Sequence, residues 1–79
     1  MRVRLRFFAA LRERMGPRGE RVLAEGTTVG ALWRALVRER PELGSTQVRF
    51  AVNQAYVEAG HALRDGDEVA FFPPVSGGR

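Results

Sequence analysis

Val3, Leu5 and Phe7 alternate with Arg2, Arg4 and Arg6 at the start of the chain. A period of two is the signature of a strand with one buried face. Phe8 continues the outward row. An aromatic on the side of three arginines cannot share a core with Val3, Leu5 and Phe7, so it is either covered by another segment or left for a partner. Ala9 to Met15 holds helix formers, with Leu11 and Met15 four apart, and Gly16-Pro17 stops it after one or two turns. A short second strand is expected over Glu20 to Ala24, broken by Gly26.

Thr28 is placed to cap the next helix, its hydroxyl accepting from an otherwise unpaired first-turn amide. Val29, Leu32, Trp33, Leu36 and Val37 recur at spacings of three and four, an apolar stripe with Arg34 and Arg38 on the other side. Trp33, in the middle of that stripe, is expected in the core. Pro41 marks the end, and Leu43 to Gln47 is expected to be a connection. Val48 to Val52 alternates again as a third strand, Asn53-Gln54 turns the chain, and Tyr56-Val57 is a weak extended piece. Gly60, Asp65 and Gly66 punctuate a polar loop in which Leu63 is expected to plug the core and His61 to be an exposed residue. The last strand runs from Asp67 or Glu68 to Phe72, with Val69 and Phe71 on one face and Ala70 and Phe72 on the other.

Strand, strand, helix, strand, short strand, strand in so few residues suits an α+β domain, a sheet with one main helix packed on one face. If that helix covers the Val3/Leu5/Phe7 and Val69/Phe71 side, Phe8 and Phe72 both fall on the uncovered side. Two aromatics there would form a docking patch.

Composition narrows the chemistry. A chain of 79 residues is one small domain that buries only about 60% of its unfolded surface. No apolar run approaches the length of a membrane span, and the alternating start does not look like a signal peptide, so no membrane role and a cytoplasmic location are expected. The absence of cysteine excludes disulfides, thiolate metal sites and a cysteine nucleophile, and a lone His61 cannot build a histidine metal site. All 13 basic residues are arginine, for a net charge of +4, and the positive field is permanent. A basic sheet in which Arg2, Arg4 and Arg6 are joined by Phe8 and Phe72 would suit single-stranded nucleic acid, although that leaves the end of the chain unexplained. Gly16, Gly19 and Gly26 lack phosphate-loop spacing. Ser45 and Ser76 have no evident base, and the scattered carboxylates offer no acid/base pair. The chain is not expected to catalyse a reaction alone.

What remains is Phe71-Phe72-Pro73-Pro74-Val75-Ser76-Gly77-Gly78, a strand end, two prolines that cannot continue a sheet, and two residues without side chains. Together with Phe7-Phe8-Ala9, Leu11-Arg12-Glu13, Thr28-Val29, Ala51-Val52-Asn53 and Asp65-Gly66-Asp67-Glu68-Val69, this stretch resembles the MoaD-like family of ubiquitin-like sulfur carriers, the small subunits of molybdopterin synthases. The resemblance runs over essentially the whole chain. It implies a single β-grasp domain over 1–79, a mixed sheet of four to five strands with one main helix, and a flexible C-terminal tail over 73–79. In the family an adenylating enzyme uses ATP to activate the terminal glycine carboxylate. Sulfur then replaces the adenylate, and the thiocarboxylate enters the large synthase subunit to supply sulfur to the pterin precursor of the molybdenum cofactor.

Carried over to this sequence, the resemblance puts the reactive carboxylate on Gly78, with Gly77 adding freedom without bulk. It makes Phe8, Arg12, Phe72, Pro73, Pro74, Val75 and Ser76 partner-binding residues. The partners implied are the large synthase subunit and the adenylating enzyme; no metal and no bound cofactor are expected, ATP belonging to the activating partner. Arg79 departs from the pattern, since the glycine pair is terminal in the family: either a peptidase removes it or the activating enzyme tolerates it, and removal is the favoured expectation, because activation at Arg79 would draw a cation and extra length into a site shaped for glycine. A ubiquitin-like protein modifier, or a sulfur carrier for thiamine synthesis or tRNA thiolation, would use the same tail.

Overall fold

The computed structural model describes residues 1–74. The assignments to Val75, Ser76, Gly77, Gly78 and Arg79, and the tail beyond Pro74, lie outside the described residues. Five strands form one sheet in the order β2-β1-β5-β3-β4. β1 (Arg2–Phe7) and β5 (Glu68–Phe72) run parallel at the centre, whereas β2 (Arg18–Val22), β3 (Arg49–Val52) and β4 (Ala55–Val57) pair antiparallel with their neighbours. The sheet is therefore mixed, and with one main helix on one face it is the expected β-grasp arrangement.

The alternation in β1 and β5 decides which face is covered. Val3, Leu5, Phe7, Val69 and Phe71 are buried beneath α2 (Val29–Glu39), which contributes Val29, Leu32 and Leu36. Phe71 is the aromatic centre, with ring centroids 5.5 Å from Phe7, 5.4 Å from Trp33 and 5.8 Å from Phe50. Trp33 itself is only half-buried, because it lies on the edge of the stripe and covers Phe71 from outside. Thr28 caps α2 as expected, its hydroxyl accepting from the Ala31 amide at 3.1 Å. The Val29 and Gly30 amides donate to the main-chain oxygens of His61 and Ala59, so the helix start is closed by the loop after β4. His61 is exposed there, as expected, and acts through its backbone. Leu63 plugs the core at 4% exposure.

Two expectations need correction. β2 spans Arg18–Val22, not Glu20 to Ala24. The tight return from α1 (Ala10–Met15) fixes the register at once, with the Phe7 amide bonded to the Pro17 oxygen, and Gly19 sits opposite Leu5. The apolar letters misled because Val22 points to solvent, 73% exposed. The expected connection at Leu43 to Gln47 is instead a 3₁₀ helix over Pro41–Ser45, with Leu43 fully buried. One apolar residue among polar ones gives no periodicity to detect.

Polar residues lock the turn ends. Asn53 and Gln54 both have positive φ, 51° and 72°, the geometry a two-residue hairpin between β3 and β4 demands. Asp67, 9% exposed, accepts from Asn53 Nδ2 at 2.9 Å and from the Arg64 amide at 2.8 Å. Asn53 Oδ1 in turn accepts from the Glu68 amide at 3.1 Å. This network ties the β3–β4 hairpin to the start of β5, the strand that leads to the tail.

Candidate docking face at the root of the tail

The side chains that β1, β5, β3 and β4 turn away from α2 make an open face. Register brings Ala70 of β5 opposite Ala51 of β3, and Ala51 opposite Tyr56 of β4. Two small residues side by side leave a depression. It is a shallow hollow of about 420 Å³, floored by Ala51 and Ala70, walled by Phe8, Tyr56 and Phe72, and rimmed by Arg6, Gln54 and Glu68.

Phe8 is 39% exposed, and the guanidinium of Arg6 lies over its ring, 5.3 Å from the centroid. That contact holds the ring at the rim by cation–π attraction. Phe72 lies on the open face as expected but is half-buried instead of freely exposed. The reason is Tyr56, itself 76% exposed, whose ring is 5.5 Å from that of Phe72. Phe71 and Phe72 thus diverge at the last strand, one anchored in the core and one facing the hollow. An exposed apolar patch of this kind, rimmed by polar residues, is what a protein-binding surface looks like.

The expected site residues are not all brought together. Phe8 and Phe72 share the hollow. Arg12 is exposed on α1 and does not line it. Pro73 and Pro74 are half-buried, and Pro74 lines a second hollow of about 520 Å³ with Val48, Phe50 and Val57. Tyr56 borders both hollows, which makes it the ridge between the docking face and the tail root. Sequence reasoning missed Tyr56 and Gln54 as site residues. The signal available was the Asn53-Gln54 turn, which puts Tyr56 on the outward face one position into the returning strand.

Catalytic equipment is not evident among the described residues. No group of three or more potential metal-ligating side chains is found there, and Ser45 Oγ donates to the Glu42 oxygen at 3.3 Å instead of meeting a base. No described helix is long and apolar enough to cross a membrane.

Known proteins share this fold. The profile of the ThiS family matches residues 5–78. The chain is similar to the molybdopterin synthase sulfur carrier subunit of Escherichia coli (strain K12), 41% identical over 80 residues, covering 96% of this chain and 99% of that one. It is similar to the crystal structure of H. volcanii small archaeal modifier protein 1, with a TM-score of 0.81 at 29% identity, covering 94% of this chain and 98% of that one. It is also similar to a chain in the complex of subunits 1 and 2 of molybdopterin-converting factor from Helicobacter pylori 26695, with a TM-score of 0.68 at 27% identity, covering 99% and 100%.

Proposed function

The chain belongs to the ThiS family, and from that premise we propose that it is a sulfur carrier of molybdenum cofactor synthesis, working as the small subunit of a molybdopterin synthase. The observation that carries the reading is the continuity of the aromatic hollow with the strand that leads to the tail: Phe72 lines the hollow, and Pro73 follows it directly. The resemblance to a molybdopterin synthase sulfur carrier subunit over nearly the full length supports it. So does the likeness to a chain solved in complex with the second subunit of a molybdopterin-converting factor.

In this reading the Gly78 carboxylate attacks the α-phosphorus of ATP in an adenylating enzyme, and pyrophosphate leaves. A free carboxylate is a poor electrophile. The acyl-adenylate has a good leaving group, and a sulfur nucleophile displaces AMP to leave a thiocarboxylate. The absence of a Cβ on Gly78 leaves the carbonyl unshielded, and Gly77 lets the backbone thread a narrow channel. Pro73-Pro74 ends sheet pairing and favours an extended path, which lowers the entropy lost on insertion. Phe8 and Phe72 dock the domain on the large subunit, with Tyr56 added by the geometry. Arg12 on α1, with Val75 and Ser76 in the tail, makes further contacts. Sulfur passes to the pterin precursor, water supplies the oxygen that regenerates the carboxylate, and the carrier is recharged. The chain supplies no catalytic group alone.

Arg79 has to be removed for Gly78 to hold the reactive carboxylate. Pyrophosphate exchange by the cognate adenylating enzyme tests this: the chain ending at Gly78 is expected to support exchange and the full chain to be inert until processed. Equal activity, with Arg79 still present by intact mass, would refute it.

The likeness to a small archaeal modifier protein favours a second reading, attachment of the tail to amines of other proteins. With no lysine of its own, the chain could be attached singly but could not build side-chain-linked polymers of itself. Lysines of other proteins in cell extracts carrying the peptide 65–78, the remnant trypsin leaves because Arg64 is the last basic residue before Gly77, would support this reading, and their absence would leave sulfur transfer alone.

A further inference from the structure

Charge is unevenly arranged on the open face. Arg4 is opposite Glu20 on one side and Glu68 on the other, so acidic residues flank it in register. Arg6 is not flanked in this way. Its neighbours in register are Arg18 on β2 and Ala70 on β5. Among the described residues the ion pairs are those of Met1 with Glu25 and Arg21 with Glu39, so neither Arg6 nor Arg18 forms one, although Glu20 and Glu68 line the same groove. Like charges directly opposite one another on a sheet are unfavourable. An arrangement that costs the free domain stability is a mark of a surface shaped for something else.

The position of this pair matters. A groove of about 350 Å³ runs over β1 and β2, lined by Arg4, Arg6 and Arg18 together with Glu20 and Glu68, the two carboxylates that flank Arg4 in register. Arg6 also rims the aromatic hollow and holds Phe8 beneath its guanidinium. The groove and the hollow are therefore continuous through one side chain. A partner that fills the hollow with an apolar group would place its adjoining surface over Arg6 and Arg18.

We propose that the surface of the large subunit that docks here carries a carboxylate, Asp or Glu, that is held between Arg6 and Arg18, so that this pair selects the cognate partner. The inference rests on the sulfur-carrier reading and adds the chemistry of the partner. A guanidinium donates two parallel hydrogen bonds to a carboxylate, and a carboxylate between two arginines turns a repulsion in the free domain into an attraction in the complex. Charge complementarity of this kind governs partner choice and association rate.

The experiment titrates the full chain with its purified large subunit at low and moderate salt, for the wild type, Arg6→Gln, Arg18→Gln and Phe72→Ala, with urea unfolding of each. Each arginine variant is expected to bind about tenfold more weakly or worse at low salt, as the loss of a charge-assisted hydrogen bond requires, and to lose part of the salt dependence. Arg18→Gln is expected to leave the free domain as stable as the wild type or more so, which a merely structural arginine would not do. If the arginine variants bind like the wild type while Phe72→Ala does not, the proposal is overturned and the docking reading stands. If no variant alters binding, or no complex forms with a correctly folded chain, both fall. A parallel titration with a single-stranded oligouridine checks the other source of negative charge. Binding there that depends on Arg6 and Arg18, with none of that dependence for the large subunit, would also overturn it.

Discussion

Asp67 shows how much one side chain can hold. Its carboxylate gathers the Asn53 side-chain amide and the Arg64 main-chain amide, and Asn53 reaches on to the Glu68 amide. Removing it strands donors in a nearly buried place, and each unsatisfied buried group costs about 1–3 kcal/mol. Asp67→Ala is expected to lower the free energy of urea unfolding by about that amount or somewhat more, and to raise hydrogen exchange at the Arg64 and Glu68 amides first. Unchanged stability would mean that water replaces the network without loss. The Asp-Gly-Asp-Glu stretch was legible as a turn before a strand. Its bond to Asn53 was not, because the two residues are 14 apart and only the β3–β5 pairing brings them together.

At the scale of elements, the strands that alternate and the helix with a full apolar stripe were readable. Those formed by long-range pairing were not. β1, β5 and α2 carry their own periodicity, so Val3, Leu5, Phe7, Val69, Phe71, Val29, Leu32 and Leu36 could be assigned to one core from the sequence. The sequence pattern places β2 two residues late, since Arg18 and Gly19 join the sheet only because the chain returning from α1 lies beside β1. Leu43 sits in a 3₁₀ turn that hides its burial from any period. Gly30 is another such case: a Cβ there would lie 2.9 Å from the Ala59 Cβ and 3.0 Å from the Ala59 oxygen. That oxygen also accepts the Gly30 amide at 2.8 Å. Gly30→Ala would help an isolated helix, yet here it is expected to destabilise the domain by about 1–3 kcal/mol through overpacking. A variant at least as stable as the parent would show that the Ala59 loop yields without cost.

For the molecule as a whole, the division between two faces is the organising fact. One face of the sheet is sealed by α2 around Phe71. The other leaves Phe8, Tyr56 and Phe72 around a hollow whose floor is two alanines. The sequence pattern predicted this separation for Phe8 and Phe72. It did not predict Tyr56, which belongs to a strand of three residues, too short to show a period of its own, so that its face follows only from the Asn53-Gln54 turn. Phe72→Ala is expected to cost the fold little beside a core truncation, since its ring is half-buried, yet to weaken docking of the large subunit by roughly the 1.5–3 kcal/mol that burying such a side chain supplies. The same change at Phe71, 0% exposed, is expected to cost about 3–5 kcal/mol of stability, most of what so small a domain has. Urea unfolding and a binding titration on the two variants separate the roles. Equal losses of stability would mean that the two faces are not distinct.

On this reading the fold exists to present a carboxylate that accepts sulfur. That role is tested most directly by the intact mass of the chain ending at Gly78 after incubation with ATP, its adenylating enzyme and a sulfur source. A gain equal to the replacement of one oxygen by sulfur is expected, confined to the C-terminal peptide and absent without ATP. An unchanged mass, under conditions where the enzyme releases pyrophosphate with this chain, would contradict it.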